Sequence, residues 1–179
     1  MKATGIVRRI DDLGRVVIPK EIRRTMRIRE GDPLEIYTDS DGEVIFKKYS
    51  PIGELSSITS QYADVLFRGT GLPVIVTDRD SVIAVAGMSK KEVLDRRVSR
   101  SLETVMEKRE NYVCVIDGER MKPVEGLDKE AAVAFPIIGG GDVSGALVML
   151  LHENGSCPTQ TETKLAQIAA SFLGKQMEE

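Results

Sequence analysis

Short apolar runs separated by turn residues fill the first 48 positions of the chain. Gly5–Ile10 and Arg15–Ile18 have the composition of strands, and Leu13-Gly14 has that of a turn. The pattern therefore predicts two short strands on either side of a turn.

A short helix and a hairpin are predicted to follow. Pro19 fits the first turn of a helix, because that position needs no amide donor. Ile22 and Met26 share one face of this helix, which leaves the basic residues mainly on its other faces. Residues 34–38 and 43–48 then form a β-hairpin around an Asp-Gly turn, since both residue types tolerate the backbone of a tight turn.

Longer periodic segments occupy the rest of the chain. Apolar residues at helical spacing from Leu55 onwards predict a helix. Beyond it the pattern predicts strands at 73–77, 82–86, 112–116, 131–138 and 144–151, and helices that start near 89, 98 and 159. Ser89 with Glu92, and Thr159 with Glu162, have the spacing of a capping box. This order predicts an α+β domain in which helices flank an antiparallel sheet.

The two patterns predict two domains. We expect residues 1–50 to form the first, residues 51–55 to form a linker and residues 56–179 to form the second. A unit of about 50 residues without a disulfide or a metal buries too little apolar surface to be stable alone. We therefore expect the first domain to complete its core with a second copy of itself.

Charge is distributed unevenly in a chain whose composition, 41% hydrophobic and 30% charged, is that of an ordinary globular protein. Residues 1–29 carry nine Lys and Arg against three Asp and Glu, which gives +6. The remaining residues carry −9, so the whole chain has a net charge of −3. A basic segment on an acidic body is typical of nucleic-acid binding, although a solvated basic surface without a partner has the same charge.

Five arginines of the basic segment are candidate DNA contacts, because a planar guanidinium pairs with a phosphate or a guanine edge through two hydrogen bonds. They are Arg8, Arg9, Arg15, Arg23 and Arg24. The alternative is that the arginines of the helix are surface charges paired with Glu21 or Glu30.

Residue types that carry catalysis or bind metals are sparse. His152 is the only histidine, so we expect a surface residue there and predict no catalytic residue, metal or cofactor. Cys114 lies in a predicted strand and is expected to be buried, whereas Cys157 lies in a loop. A redox pair would need their Cα atoms within about 7 Å, and we do not expect one. Gly139–Asp142 lacks the lysine and the spacing of a phosphate-binding loop and is interpreted as a hairpin turn.

Cysteine content and hydropathy indicate the cellular compartment in which the protein is expected. Two cysteines are too few for a disulfide scaffold, and charged residues interrupt the first apolar stretch, which argues against a secretory signal. The longest apolar runs are far shorter than the roughly 20 residues that a membrane helix needs. We therefore expect a cytoplasmic protein that does not enter the membrane.

Three motifs of the basic segment carry a family resemblance. Leu13–Pro19 (LGRVVIP), Glu21–Arg24 (EIRR) and Gly31–Glu35 (GDPLE) closely resemble the DNA-binding domain of AbrB-type transition-state regulators. The resemblance implies a swapped-hairpin β-barrel made by two interleaved chains, in which Arg8, Arg15, Arg23 and Arg24 face DNA and Arg9 occupies a position that is often basic. It also implies A·T-rich, deformable double-stranded DNA that is recognised by its shape.

Over its whole length the chain resembles regulators of sporulation genes that join this domain to a C-terminal GAF-like domain. The resemblance implies a homotetramer in which GAF-like domains pair two DNA-binding dimers, acting at the nucleoid of the forespore as an activator, a repressor or both. A small-molecule effector of unidentified chemistry stays open, since no chromophore cysteine or nucleotide motif is present.

Two other classes of function share features with this chain. An antitoxin-like DNA-binding module shares the swapped-hairpin fold but usually ends in a disordered tail, whereas the C-terminal half of this chain is apolar and patterned. A GAF-type, thiol-dependent sulfoxide reductase needs clustered cysteines, and the chain has only two. A transcriptional regulator is therefore the favoured class.

Overall fold

In the computed structural model, which describes residues 4–178, the chain divides between Tyr49 and Ser50 into two units. Lys2, counted above among the basic residues, lies outside the described part.

The first unit contains one helix and one hairpin. Pro19 precedes helix α1 (Lys20–Met26), which ends where Arg27 adopts a left-handed backbone with φ of 52°. Strands β1 (Leu34–Thr38) and β2 (Val44–Lys48) pair in antiparallel register. Helix and hairpin thus form where the sequence predicts them.

The two strands predicted before α1 are absent from the first unit as described. Residues 5–10 and 15–18 pair with no other strand, and between them the Asp11 N–H donates to the Arg15 carbonyl at 3.0 Å to close a turn. The prediction of four strands is therefore wrong for the single chain. The physical reason is that a strand needs a neighbour for its backbone hydrogen bonds, and β1 and β2 already pair with each other.

The first unit buries almost none of its apolar side chains. Among residues 4–49, Pro19 alone is buried. Val7 is 89% exposed, and Ile10, Leu13 and Val17 are each at least 69% exposed. Taken as a single chain, the unit has no hydrophobic interior.

The second unit is a five-stranded antiparallel sheet between two layers of helices. Its elements are α2 (Pro51–Glu54), α3 (Ser56–Thr70), β3 (Val74–Asp78), β4 (Val82–Ala86), α4 (Lys90–Val93), α5 (Arg100–Lys108), β5 (Tyr112–Val113), β6 (Ala131–Gly139), β7 (Asp142–Leu150) and α6 (Gln160–Gln176). The strand order is β4-β3-β7-β6-β5. Helices α3 and α6 cover one face, and α4 and α5 cover the other.

Both faces of the sheet are buried, which explains why its strands are continuous apolar runs. Along β7, Leu147 and Met149 contact the layer of α3 and α6, whereas Val148 contacts the opposite layer. Val74 and Ile75 divide in the same way along β3. This alternation follows from successive side chains of a strand pointing to opposite faces.

Several local predictions differ from the structure of the second unit. The strand predicted at 112–116 contains only Tyr112 and Val113. Ser89 precedes α4 but its side chain makes no capping hydrogen bond, so the first predicted capping box does not form. The segment expected to be a linker holds the short helix α2, whose Ile52 is fully buried.

The capping box at the start of α6 is present. The Glu162 N–H donates to Thr159 Oγ1 at 3.2 Å, and the Thr159 N–H donates to Glu162 Oε2 at 2.7 Å. Two backbone donors that the helix leaves without a partner are thereby satisfied. The sequence spacing that predicted this cap is confirmed.

We expect Thr159→Ala to lower the free energy of unfolding by about 1 kcal/mol, because one end of the capping box is lost. Urea denaturation followed by circular dichroism measures the change. Thr161→Ala, an exposed substitution in the same helical turn, is the matched control and is expected to change stability by less than about 0.5 kcal/mol. Equal losses in the two variants would contradict the capping role.

Helix α6 approaches β6 closely at a glycine. A Cβ atom at Gly174 would overlap the carbonyl oxygen of Ile138, which belongs to the backbone of β6 and cannot rotate away. We expect Gly174→Ala to cost about 2 kcal/mol of unfolding free energy, because α6 must move off the sheet. Gly69→Ala in α3 is the control: its Cβ meets nothing within 4 Å, and we expect it to be neutral or stabilising. The denaturant midpoints of the two variants measure these changes in stability. Equal midpoints for Gly174→Ala and Gly69→Ala would contradict the close approach of α6 to β6.

Candidate nucleic-acid interface

The five candidate arginines lie on two segments of the first unit and are all exposed. Arg8, Arg9 and Arg15 belong to the extended stretch and turn that precede α1. Arg23 and Arg24 lie in α1 itself. Each guanidinium is therefore available to solvent or to an anionic partner.

Asp11 organises the turn that carries Arg15. Its Oδ1 accepts hydrogen bonds from the N–H groups of Leu13 at 3.0 Å and Arg15 at 2.8 Å, and its Oδ2 accepts from Arg15 Nε at 2.8 Å. The Arg15 N–H, and then the Arg15 guanidinium, hold the pKa of Asp11 below its usual value. Because the Arg15 and Asp11 side chains are 69% and 37% exposed, the pair adds little stability, and its main effect is to orient Arg15.

This role of Asp11 is not predicted above, where Asp11 counts only as an acidic residue. The signal was present in the chain: an aspartate two residues before a backbone donor in a Leu-Gly turn is the pattern of an Asx-turn. The arginine four positions later completes the interaction.

The hairpin holds the end of α1 that follows Arg23 and Arg24. The Ile28 N–H donates to the Arg23 carbonyl at 2.8 Å, and Lys48 Nζ of β2 donates to the Arg27 carbonyl at 3.0 Å. Lys48 Nζ also lies 3.8 Å from a carboxylate oxygen of Asp32, and the same oxygen accepts a hydrogen bond from the Arg29 N–H at 2.8 Å. A basic side chain satisfies a helix-terminal carbonyl in this way.

The helix arginines are not neutralised locally. Within residues 4–178, neither Arg23 nor Arg24 forms an ion pair with Glu21 or Glu30. The alternative that these arginines serve as surface charges bound to nearby glutamates finds no support in the geometry. Their N–H donors face solvent, where a phosphate or a base edge can accept hydrogen bonds.

The residues considered for catalysis or metal binding are placed in the second unit. His152 is partly exposed, and its Nε2 lies 3.2 Å from Glu162 Oε1, next to the capping box. No group of three potential metal ligands occurs within residues 4–178. Cys114 and Cys157 were not expected to form a pair, but their sulfur atoms lie 2.7 Å apart. No helix in the described part of the chain is long and apolar enough to cross a membrane.

The class of protein follows from two family matches. Residues 7–53 match the family described as antidote-toxin recognition MazE, bacterial antitoxin. Residues 54–178, which include almost all of the second unit, match the family described as stage V sporulation protein T C-terminal, transcription factor. The two matches together define a bacterial transcription factor rather than an enzyme.

The chain belongs to the family of stage V sporulation protein T. It is 51% identical to the protein of that name from Bacillus subtilis (strain 168), over the full length of both chains. Its N-terminal part is also 65% identical over 51 residues to the transition state regulatory protein AbrB of the same organism, which covers 28% of this chain and 52% of AbrB. The family resemblance that the sequence predicts is confirmed.

Solved structures show the fold of the second unit. A GAF domain/HD domain protein from Geobacter sulfurreducens aligns with 74% of this chain and 96% of its own, at 13% identity and a TM-score of 0.52. A type II free methionine-R-sulfoxide reductase from Thermoplasma acidophilum aligns with 69% of this chain and 92% of its own, at 10% identity and a TM-score of 0.53. At such identities the likeness concerns the fold alone, which is GAF-like as predicted.

Proposed function

We propose that this transcription factor binds double-stranded DNA through residues 1–50 of two chains, with Arg8, Arg9, Arg15, Arg23 and Arg24 as the contacts. The observation that carries the proposal is the exposure of all five guanidinium groups on a segment with a net charge of +6. The 65% identity of this part to AbrB supports the same role. Exposed basic groups attract the phosphate backbone, and of the five arginines Arg15 alone is described above in an ion pair, with Asp11.

A second copy of the chain is needed to complete the first unit. A single copy of this unit buries one residue and exposes many apolar side chains, among them those of Val7, Ile10, Leu13 and Val17. Such a copy is not expected to be stable alone. Residues 5–10 and 15–18 also retain backbone groups without a strand neighbour, and a swapped hairpin from a second chain supplies one. In the proposed dimer, the ten candidate arginines of the two chains lie on one assembly.

The second unit is proposed to join two such dimers into a tetramer. Helices α3 and α6 lie side by side, with the Tyr62 and Phe172 rings stacked at a centroid distance of 4.9 Å. Val65 of α3 is 64% exposed and Ile168 of α6 is 53% exposed. An apolar helical face of this kind is buried when the same face of another copy packs against it.

The proposed targets are A·T-rich, deformable sites that control sporulation genes, with activation or repression according to the site. DNA of this kind is selected through its shape, because arginines enter its narrow minor groove. The proposal implies action in the cytoplasm, at the nucleoid of the forespore. An antitoxin role is disfavoured, because residues 50–178 form a packed unit rather than a disordered tail.

Alanine at Arg8, Arg15, Arg23 or Arg24 is expected to weaken DNA binding about tenfold or more without dissociating the dimer. Fluorescence anisotropy with a labelled A·T-rich duplex, at several salt concentrations, measures the effect. If eight to ten arginines of a dimer contact phosphates, the slope of log K against log[salt] is roughly −7 to −9. Each substitution removes two contacts per dimer and is expected to reduce that slope by about 2.

The control for the arginine variants is Lys91→Ala, which removes one exposed positive charge from α4 of the second unit. It is expected to leave both affinity and salt slope unchanged. The assignment of the site is refuted if Lys91→Ala weakens binding as much as the four arginine variants do.

Aspartate at Val65 or Ile168 is expected to convert tetramers into dimers, because a charge cannot be buried between apolar helices without a partner. Light scattering coupled to size-exclusion chromatography compares the mass of four chains with that of two. Ile116→Asp is the matched control, since Ile116 is an aliphatic residue that is 82% exposed and belongs to neither α3 nor α6. Tetramers that persist in both helix variants would show that another surface joins the dimers.

A further inference from the structure

Two cysteines that are distant in sequence meet at one edge of the second unit. Cys114 follows β5, and its N–H donates to the Ala132 carbonyl at 2.8 Å, which fixes it against β6. Cys157 lies in the loop before α6, two residues ahead of the capping residue Thr159. The two Sγ atoms are 2.7 Å apart, although the residues are 43 positions apart. A disulfide has an S–S distance of about 2.05 Å, so only a small movement separates the two thiols from a covalent bond.

The two thiols differ in their access to solvent. Cys114 is 4% exposed. Cys157 is partly exposed and lines an open cavity of about 530 Å³ together with residues 115–118. A small oxidant can therefore reach Cys157 from this cavity, whereas Cys114 is shielded behind it.

An arginine lies against the buried sulfur. Arg120 Nη1 donates a hydrogen bond to Cys114 Sγ at 2.7 Å, and Arg120 Nε lies 4.0 Å from a carboxylate oxygen of Glu130. Burial, and then the hydrogen bond with Cys157, raise the pKa of Cys114 to about 11, and the positive charge of Arg120 opposes this rise. Cys114 therefore holds its proton until it reacts, and Arg120 is placed to stabilise the thiolate when that proton leaves.

We propose that Cys114 and Cys157 form a redox site, in which a hydroperoxide oxidises Cys157 and Cys114 then closes a reversible disulfide within the chain. In the first step the Cys157 thiolate attacks one peroxide oxygen, the O–O bond breaks, and the leaving hydroxide takes up a proton as water. Cys157 is then a sulfenic acid. In the second step Cys114 Sγ attacks Cys157 Sγ, the S–O bond breaks, and the hydroxide leaves as water with the Cys114 proton. Two thiols and one H2O2 thus give one disulfide and two waters.

The disulfide would tie the edge strand of the sheet to the start of α6. It would close a loop that spans 43 positions and so restrict the unfolded chain. The expected signature is a melting temperature that rises by roughly 5–10 °C on oxidation. Reduction with dithiothreitol is expected to reverse the rise.

The test uses the reduced full-length protein and one equivalent of H2O2. Thiol titration is expected to fall from two free cysteines to none, and mass spectrometry to find a peptide that links residues 114 and 157 within one chain. Calorimetry on the same samples records the rise in melting temperature. Two free thiols after prolonged exposure to excess peroxide, or disulfides only between chains, would overturn the proposal.

Single substitutions separate the two steps. In Cys114→Ser, Cys157 is expected to stop at the sulfenic acid and to be trapped by dimedone. In Cys157→Ser, Cys114 is expected to remain a thiol, and oxidation is expected to leave the melting temperature unchanged. Sulfenic acid that forms first on Cys114 would contradict the assigned order.

Arg120 contacts the attacking sulfur of Cys114 in this scheme and stabilises its thiolate. Arg120→Gln is expected to slow closure of the disulfide several-fold, measured by the lifetime of the dimedone-reactive species, with little change in the rate at which Cys157 is first oxidised. Lys122→Gln removes an exposed positive charge two residues away and is the matched control. Equal rates of closure in Arg120→Gln and the unmodified protein would remove Arg120 from the mechanism.

Discussion

The unequal burial of apolar side chains in the two units is the constraint on which the rest of this account depends. In the second unit a five-stranded sheet is covered by helices on both faces, and side chains such as Ile75, Leu147 and Met149 are fully buried. In the first unit, within residues 4–49, only Pro19 is buried. The second unit can therefore fold from its own sequence, whereas the first is expected to obtain its interior from a second copy. Because burial of apolar surface is the main favourable contribution to folding, dimer formation and folding of the first unit are expected to be one process.

Electrostatics follows the same division. Within the first unit, residues 1–29 carry +6 and residues 30–49 carry −4, whereas residues 50–179 carry −5, so the positive charge is concentrated in one segment of the unit that lacks a core. Asp11 is used there to shape a turn and to orient Arg15 rather than to neutralise the surface. In the proposed dimer a second set of arginines joins the same assembly, and the resulting positive field is expected to attract DNA from a distance. The acidic second unit does not compete for the phosphate backbone.

Much of the second unit could be predicted from the sequence, because its helices and caps are specified by residues that lie close together in the chain. Helical spacing located α3 and α6, and the Thr159 and Glu162 spacing gave a capping box that the structure contains. The four strands of the first unit could not be predicted correctly for one chain, because strand composition does not specify which strand is its neighbour. The contact between Cys114 and Cys157 could not be predicted from local sequence patterns either. The two residues are 43 positions apart, and only the tertiary fold brings them together. Residue type alone was enough to name the arginines as candidate DNA contacts. The role of Asp11 in ordering the turn is visible only from its hydrogen bonds in the structure.

Hydrogen–deuterium exchange of the full-length protein, with and without an A·T-rich duplex, tests the central claim most directly. Exchange reports the stability and accessibility of backbone amides peptide by peptide. DNA is expected to slow exchange in peptides from residues 5–30, around the Asp11 turn and α1, and to leave exchange in the sheet of the second unit unchanged. Protection confined to residues 50–178, with residues 5–30 unaffected at saturating DNA, would contradict it.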